Sequence, residues 1–137
     1  MGMLSEYMCE RAKGTRHAIV IDPADQSPDV AANRALAAAH AGSQMILVGG
    51  SSDTDMKNVH ATIVAIKEAL ELVTWASSQD SDSDENPSQI PVVLFPQGAA
   101  ALSPAADGIT FMMLMNSKDP RFLIGEQVRG APFVKKS

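Results

Sequence analysis

Asp22 and Ser51 are the side chains whose setting points most directly to chemistry. Asp22 ends the run His17-Ala-Ile-Val-Ile-Asp-Pro23, in which four apolar residues, three of them β-prone, stop at a carboxylate followed by proline. Ser51 ends a second run, Met45 to Val48, after Gly49-Gly50. A buried parallel strand delivers the residue at its C-terminal end to the mouth where α/β proteins bind ligands. The two runs therefore put a carboxylate and a flexible, hydroxyl-tipped loop on one rim. The exposed amides of Gly49 and Gly50 make an anion nest. Each motif also has a plainer reading, Asp-Pro as a turn or cap and Gly-Gly-Ser as a tight βα turn.

Other reactive residue types carry less. His17 begins its strand, at the end opposite the rim, and reads as structural. His60 lies one position from an apolar stripe and reads as a satisfied surface or core histidine. Met112, Met113 and Met115 read as core packing. The lone Cys9 excludes an internal disulfide framework and four-ligand zinc patterns, and fits a reducing, cytoplasmic setting.

The elements that hold these residues alternate. The alanine-rich stretch Asp29 to Ala41, closed by Gly42, predicts a helix. From Met56 to about Trp75, Val59, Ile63, Ile66, Leu70 and Val73 recur at steps of four and three, one apolar stripe along a second helix. Ser77 to Asn86 has no apolar residue and a block of acids, so an acidic loop insertion is expected over residues 77–89. It lacks the glycine and terminal glutamate of a calcium loop. Pro91 to Phe95 predicts a third strand and Gly108 to Met115 a fourth, ending at Asn116-Ser117. Asp119-Pro120 caps a further helix whose buried side is Phe122, Leu123, Ile124 and Val128. A short helix over Leu4 to Lys13 precedes the first strand.

The order β-α-β-α-β-short α-β-α predicts parallel strands with right-handed crossovers. At 137 residues and 45% hydrophobic content the chain suits one compact domain. A net charge of −5 without a basic cluster argues against a nucleic-acid surface. No stretch has the ~20 apolar residues of a membrane span, which leaves peripheral membrane contact only. Two architectures fit. A flavodoxin-like sheet of receiver type matches the length, but has Phe95-Pro96 where the phosphate-accepting Asp belongs and no evident Lys after a fifth strand. The other is the first half of a (β/α)8 barrel of roughly 250 residues, a single partial domain over 1–137 with about four of eight units.

Motifs spread from about residue 15 to the C-terminus bear on that choice. His17-Ala-Ile-Val-Ile-Asp-Pro23, Val48-Gly-Gly-Ser51, Val93-Leu-Phe-Pro96, Leu114-Met-Asn-Ser117, Ile124-Gly-Glu-Gln127 and Ala131-Pro132 resemble, in order and spacing, the geranylgeranylglyceryl phosphate synthase family with its bacterial relatives. The resemblance implies a TIM-barrel prenyltransferase. Such an enzyme joins sn-glycerol 1-phosphate to geranylgeranyl diphosphate, releases diphosphate and forms the first ether bond of archaeal membrane lipids. It also implies Mg²⁺, with Asp22 and Ser51 as metal residues. Mg²⁺ takes one or two hard oxygen ligands from protein and the rest from water and phosphate. Gly49, Gly50, Asn116 and Ser117 are the candidate substrate-binding positions. An alternate face of the methionine run is then a candidate wall of a prenyl groove.

The chain departs from the family at Ala24-Asp25, where Asp-Lys is usual, and at Gln97-Gly98, where Pro-Gly is usual. The catalytic residues and the glycerol-phosphate site belong to the later strands of the family, so no catalytic residue is assigned here. A half-barrel leaves two sheet edges and an apolar inner face uncovered, which favours self-association or a completing C-terminal half. The alternative is a non-catalytic flavodoxin-like binding domain or a receiver-type signalling module.

Overall fold

The computed structural model describes residues 3–10, 14–80, 89–110 and 113–134. Helix α1 (Met3–Cys9) precedes strand β1 (Ala18–Ile21), helix α2 (Pro28–His40) and strand β2 (Met45–Gly49). Helix α3 (Met56–Asp80), strand β3 (Val92–Phe95), a 3₁₀ turn (Ala99–Ala101) and strand β4 (Gly108–Ile109) follow. A π-helical turn (Arg121–Gly125) then runs into helix α4 (Glu126–Val134).

All strand pairs are parallel, and the sheet order is β1-β2-β3-β4. That order decides between the two architectures, because a doubly wound flavodoxin-like sheet places its first strand between the second and third. Sequential neighbours are what the wall of a (β/α)8 barrel requires. The described residues form an α/β half-barrel.

Register defines two faces. Ile21 pairs with Val48 and Val48 with Leu94, and these side chains point to the helix layer. There they meet Ala31, Ala35 and Ala38 of α2 and Val59, Ile63 and Ile66 of α3. Alanine brings α2 close to the sheet and to α3, while the 4-3 stripe of α3 supplies the volume. Val59, Ile63 and Ile66 are buried as the spacing predicts, and Leu70 and Val73 are half-buried. The opposite, inner face carries Val20, Leu47 and Val93 in register with Gly108. Val93 is buried there, whereas Val20 is 50% exposed. A Cβ at Gly108 would lie 3.5 Å from Leu4 Cγ with the branch methyl closer still, so α1 plugs this face where the glycine leaves room. Arg16 fastens α1 by donating to the carbonyls of Tyr7 and Glu10, with its guanidinium over the Tyr7 ring.

Several sequence expectations change. The strand expected over Gly108 to Met115 ends at Ile109: Asp107 and Thr110 N–H continue its pairing with Val92 and Leu94, but residues 114–117 form a turn. Met113 and Met115 are therefore exposed and not core, while Met112 lies outside the described residues. Ser77 to Asp80 continue α3 and are not loop, since no Gly or Pro interrupts them; residues 81–88 lie outside the described residues. The N-terminal helix stops at Cys9, and residues 11–13 lie outside the described residues. Asp119 does cap, its Oδ1 accepting from Arg121 N–H at 2.9 Å. The buried side beyond it differs from expectation. Phe122 and Leu123 are half-buried, Ile124 and Val128 face outward, and Glu126 and Gly130 are the residues turned inward.

Candidate functional site

The rim is built around Asp22, the residue after β1. Its Oδ1 accepts from Ala24 N–H at 2.9 Å, and Gln26 Nε2 donates to its carbonyl at 2.9 Å. Arg34 on α2 holds Gln26 through a 2.8 Å bond, so the loop is tied to the following helix. A second tie comes from α3. Asp55 caps that helix by accepting from Asn58 N–H, and Asn58 Nδ2 donates to the Pro23 carbonyl at 2.7 Å. Asp22 is thus held from both flanking helices while remaining half-exposed.

β2 delivers its glycines against this carboxylate. A Cβ on Gly50 would lie 2.8 Å from Asp22 Cγ, so the missing side chain is what lets the carboxylate rest on the backbone before Ser51. Gly49 has φ of +142°, and a Cβ there would come within 2.5 Å of the Phe95 carbonyl carbon. Glycine is required at 49 by backbone conformation and by close approach to β3. Ser51 is exposed immediately beyond. The neighbouring parallel strands bring Asp22, Gly49, Gly50 and Ser51 together.

Asn116 and Ser117 are less directly placed. Because β4 ends at Ile109, they stand in a turn closed by Ser117 N–H to the Leu114 carbonyl, and Ser117 Oγ accepts from Asp119 N–H at 3.0 Å. His17 and His60 are each satisfied, His17 Nδ1 with Ser43 Oγ at 2.8 Å and His60 Nδ1 with Ser103 Oγ at 2.9 Å.

Asp25, Asp53 and Asp55 are exposed on the loops that follow β1 and β2. Such a rim repels a bare polyanion and attracts a cation. Among the described residues no group of three or more His, Cys, Asp or Glu is placed to hold a metal ion. The donors at hand, one carboxylate with Oδ2 free of a described protein donor and one neighbouring hydroxyl, fit a hard cation that keeps most of its shell for water and phosphate oxygens. A cavity of about 980 Å³ lies elsewhere, at the N-terminal ends of the strands, bordered by Tyr7, His40, Gln44, Trp75, Ile90 and Asp107.

Sequence reasoning did not single out Glu126, Asn58 or Gln26. Glu126 Oε2 accepts from Ala99 N–H at 2.7 Å, and a Cβ on Gly98 would lie 2.6 Å from that oxygen, so this buried carboxylate positions the turn after β3. Gly98 was the available signal. Asn58 stands three residues after Asp55, a capping-box spacing that marks the helix start but not the reach to Pro23.

Strand order and register define an α/β half-barrel, part of the wall of a (β/α)8 fold, with Asp22, Gly49, Gly50 and Ser51 at the C-terminal ends of its strands. The chain belongs to the PcrB family, whose model matches residues 10–137. The geranylgeranylglyceryl phosphate synthase of Methanococcoides burtonii is 38% identical over 136 residues, covering 98% of this chain and 48% of that protein. That of Thermofilum pendens is 34% identical over 137 residues, covering 98% and 47%. The wild-type GGGPS of Thermoplasma volcanium superposes with a TM-score of 0.77 at 36% identity, covering 99% of this chain and 47% of its own. The (S)-3-O-geranylgeranylglyceryl phosphate synthase of Thermoplasma acidophilum, solved in complex with its substrate sn-glycerol-1-phosphate, gives 0.78 at 31% identity, covering 99% and 48%. The chain spans about half the length of the curated relatives it matches.

Proposed function

We propose that this chain supplies the cation- and diphosphate-binding half of a prenyltransferase joining sn-glycerol 1-phosphate to geranylgeranyl diphosphate, the step that makes the first ether bond of archaeal-type membrane lipids. The observation that carries the reading is the contact between the Asp22 carboxylate and the Gly50 backbone, beside Ser51, at the ends of paired strands β1 and β2. Family membership and the names of the relatives support it.

Asp22 and Ser51 would hold Mg²⁺. When bound, the ion supplies charge neutralisation for the leaving diphosphate. The chain's own residues do the rest of the positioning. Ala24 N–H orients Oδ1 of Asp22, and Oδ2 lies against Gly50, one residue before Ser51. Gly49 and Gly50 let phosphate oxygens approach the backbone, and Asn116 and Ser117 offer polar contacts further along the rim. Glu126 fixes the turn after β3 that borders the site. The acceptor glycerol phosphate and the base for its hydroxyl fall to a completing half of the barrel, which also covers the inner face bearing Val20. We assign the border of the prenyl chain to Met113 and Met115, which are exposed. No helix among the described residues is long and apolar enough to cross a membrane, and the setting we propose is cytoplasmic.

Calorimetric titration with Mg²⁺ and inorganic diphosphate tests the site. Diphosphate should bind only with Mg²⁺, and Asp22→Asn or Ser51→Ala should weaken it about tenfold or more. Mg²⁺-independent binding, or unchanged binding by Asp22→Asn, removes the assignment. For the reaction, the chain mixed with the C-terminal half of a relative, geranylgeranyl diphosphate, glycerol 1-phosphate and Mg²⁺ should form the ether; no product from a complex shown to assemble defeats the proposal.

A further inference from the structure

Charge is unevenly divided along this acidic chain. Residues 113–137 carry Lys118, Arg121, Arg129, Lys135 and Lys136 against only Asp119 and Glu126, so their balance is positive while the remainder is strongly negative. One of the two acids is also withdrawn from the surface field: Glu126 is buried on Ala99 N–H and Arg129, whereas Asp119 stays exposed beside Arg121, 3.8 Å from its guanidinium. Lys118, Arg121 and Arg129 are exposed.

The same segment exposes apolar side chains. Met113, Leu114, Met115, Ile124 and Val128 are between 54% and 82% accessible. Leu114 N–H donates to the Phe122 carbonyl at 3.0 Å, which folds the 114–117 turn back onto the π-helical turn and makes the two apolar sets neighbours. Ile124 and Val128, four residues apart, share one helical face, while Glu126 and Gly130 occupy the inward one. Arg121 precedes Ile124 by three and Arg129 adjoins Val128, so cations flank the apolar stripe.

We propose that this face docks the protein on an anionic lipid surface, the apolar residues entering at headgroup depth and the basic residues meeting lipid phosphates. Bulky aliphatic side chains ringed by Lys and Arg are what an interfacial segment needs. The positive balance of this face complements an anionic bilayer, whereas the rest of the molecule is repelled by one. The face also adjoins the rim: Glu126, at the start of α4, bonds the turn that follows the C-terminal end of β3. A ligand with a long hydrocarbon tail would meet the site there without crossing water.

Sedimentation with sucrose-loaded vesicles tests this. The 137-residue chain should pellet with equimolar phosphatidylcholine and phosphatidylglycerol, should not pellet with phosphatidylcholine alone, and should be released by 0.5 M salt. The Lys118→Gln/Arg121→Gln double variant should lose roughly thirtyfold in partitioning, each cation contributing about fivefold. Ile124→Ser/Val128→Ser should also bind more weakly, with circular dichroism and melting temperature unchanged because both residues are exposed. Equal binding to neutral vesicles, no binding, or full binding by the double variant overturns the proposal. So does a dimer in sedimentation velocity that Ile124→Ser/Val128→Ser dissociates, since the face would then be a self-interface. Asp22→Asn should pellet like the wild type, which separates this inference from the catalytic reading.

Discussion

Replacing Gly50 with alanine probes the rim most selectively. Gly50 lies outside the left-handed region, so alanine meets no backbone strain there. Its methyl would fall 2.8 Å from Asp22 Cγ, inside van der Waals contact, and the carboxylate must swing away. Swinging breaks the 2.9 Å bond from Ala24 N–H to Oδ1. For a half-exposed group that bond contributes about 1 kcal/mol, a loss of roughly 2–6 °C in melting temperature for a domain of this size. The effect on ligand binding should be larger. Losing the orientation of a metal-binding carboxylate typically weakens binding about 10–100-fold. Titration with Mg²⁺ and diphosphate, beside a thermal melt, separates the two quantities. Gly49→Ala is the control for a purely structural glycine: the neighbour it meets is the Phe95 backbone, which cannot rotate aside, and the positive φ adds strain. Gly49→Ala should unfold or open the β2–β3 pair, whereas Gly50→Ala should fold and bind poorly. A folded Gly50→Ala protein with wild-type affinity would refute the placement of the cation at Asp22.

Two further substitutions test the supports of the fold. Asp107 Oδ2 accepts from Val92 N–H at 2.8 Å and its Oδ1 pairs with Lys67 at 2.7 Å. Asp107→Ala strands a buried amide and a partly buried ammonium, and should cost about 2–3 kcal/mol in urea unfolding; an unchanged midpoint contradicts this. Glu126→Ala should cost about 1–3 kcal/mol and speed hydrogen exchange at the Ala99 amide. Gly98→Ala, whose methyl meets Glu126, should then be less damaging in the Glu126→Ala background than alone, and additive penalties would argue against the contact.

What could be read from sequence was whatever local chemistry specifies. Ile19-Val20-Ile21 before Asp22-Pro23, and Val92 to Phe95 before Pro96, declare strands because β-branched runs ending at proline have few other uses. The stripe from Val59 to Ile66 declares a helix by period alone. The rim positions Asp22, Gly49, Gly50 and Ser51 followed from where those strands stop. Residues 108–115 misled because an apolar run looks the same whether or not a neighbour pairs with it, and pairing past Thr110 depends on tertiary context. Glu126 was unreadable for a related reason. A carboxylate in a helix normally faces water, and its burial here depends on Gly98, 28 residues earlier, leaving space for it. Asn58 was not legible, because its grip on the Pro23 carbonyl spans 35 residues and no local pattern announces it.

The neighbour-to-neighbour strand order bears on how the chain emerges from the ribosome. Each strand after β1 in the described sheet pairs with the one synthesised just before it, and none of them waits to be inserted between two others. Hydrogen bonding can therefore advance unit by unit as translation proceeds, β1 with β2 once α2 has turned, then β3, then β4, with α1 already available to shield Gly108 when it appears. Short loop closures of this kind favour rapid, vectorial folding and limit the time each growing edge is open to strangers.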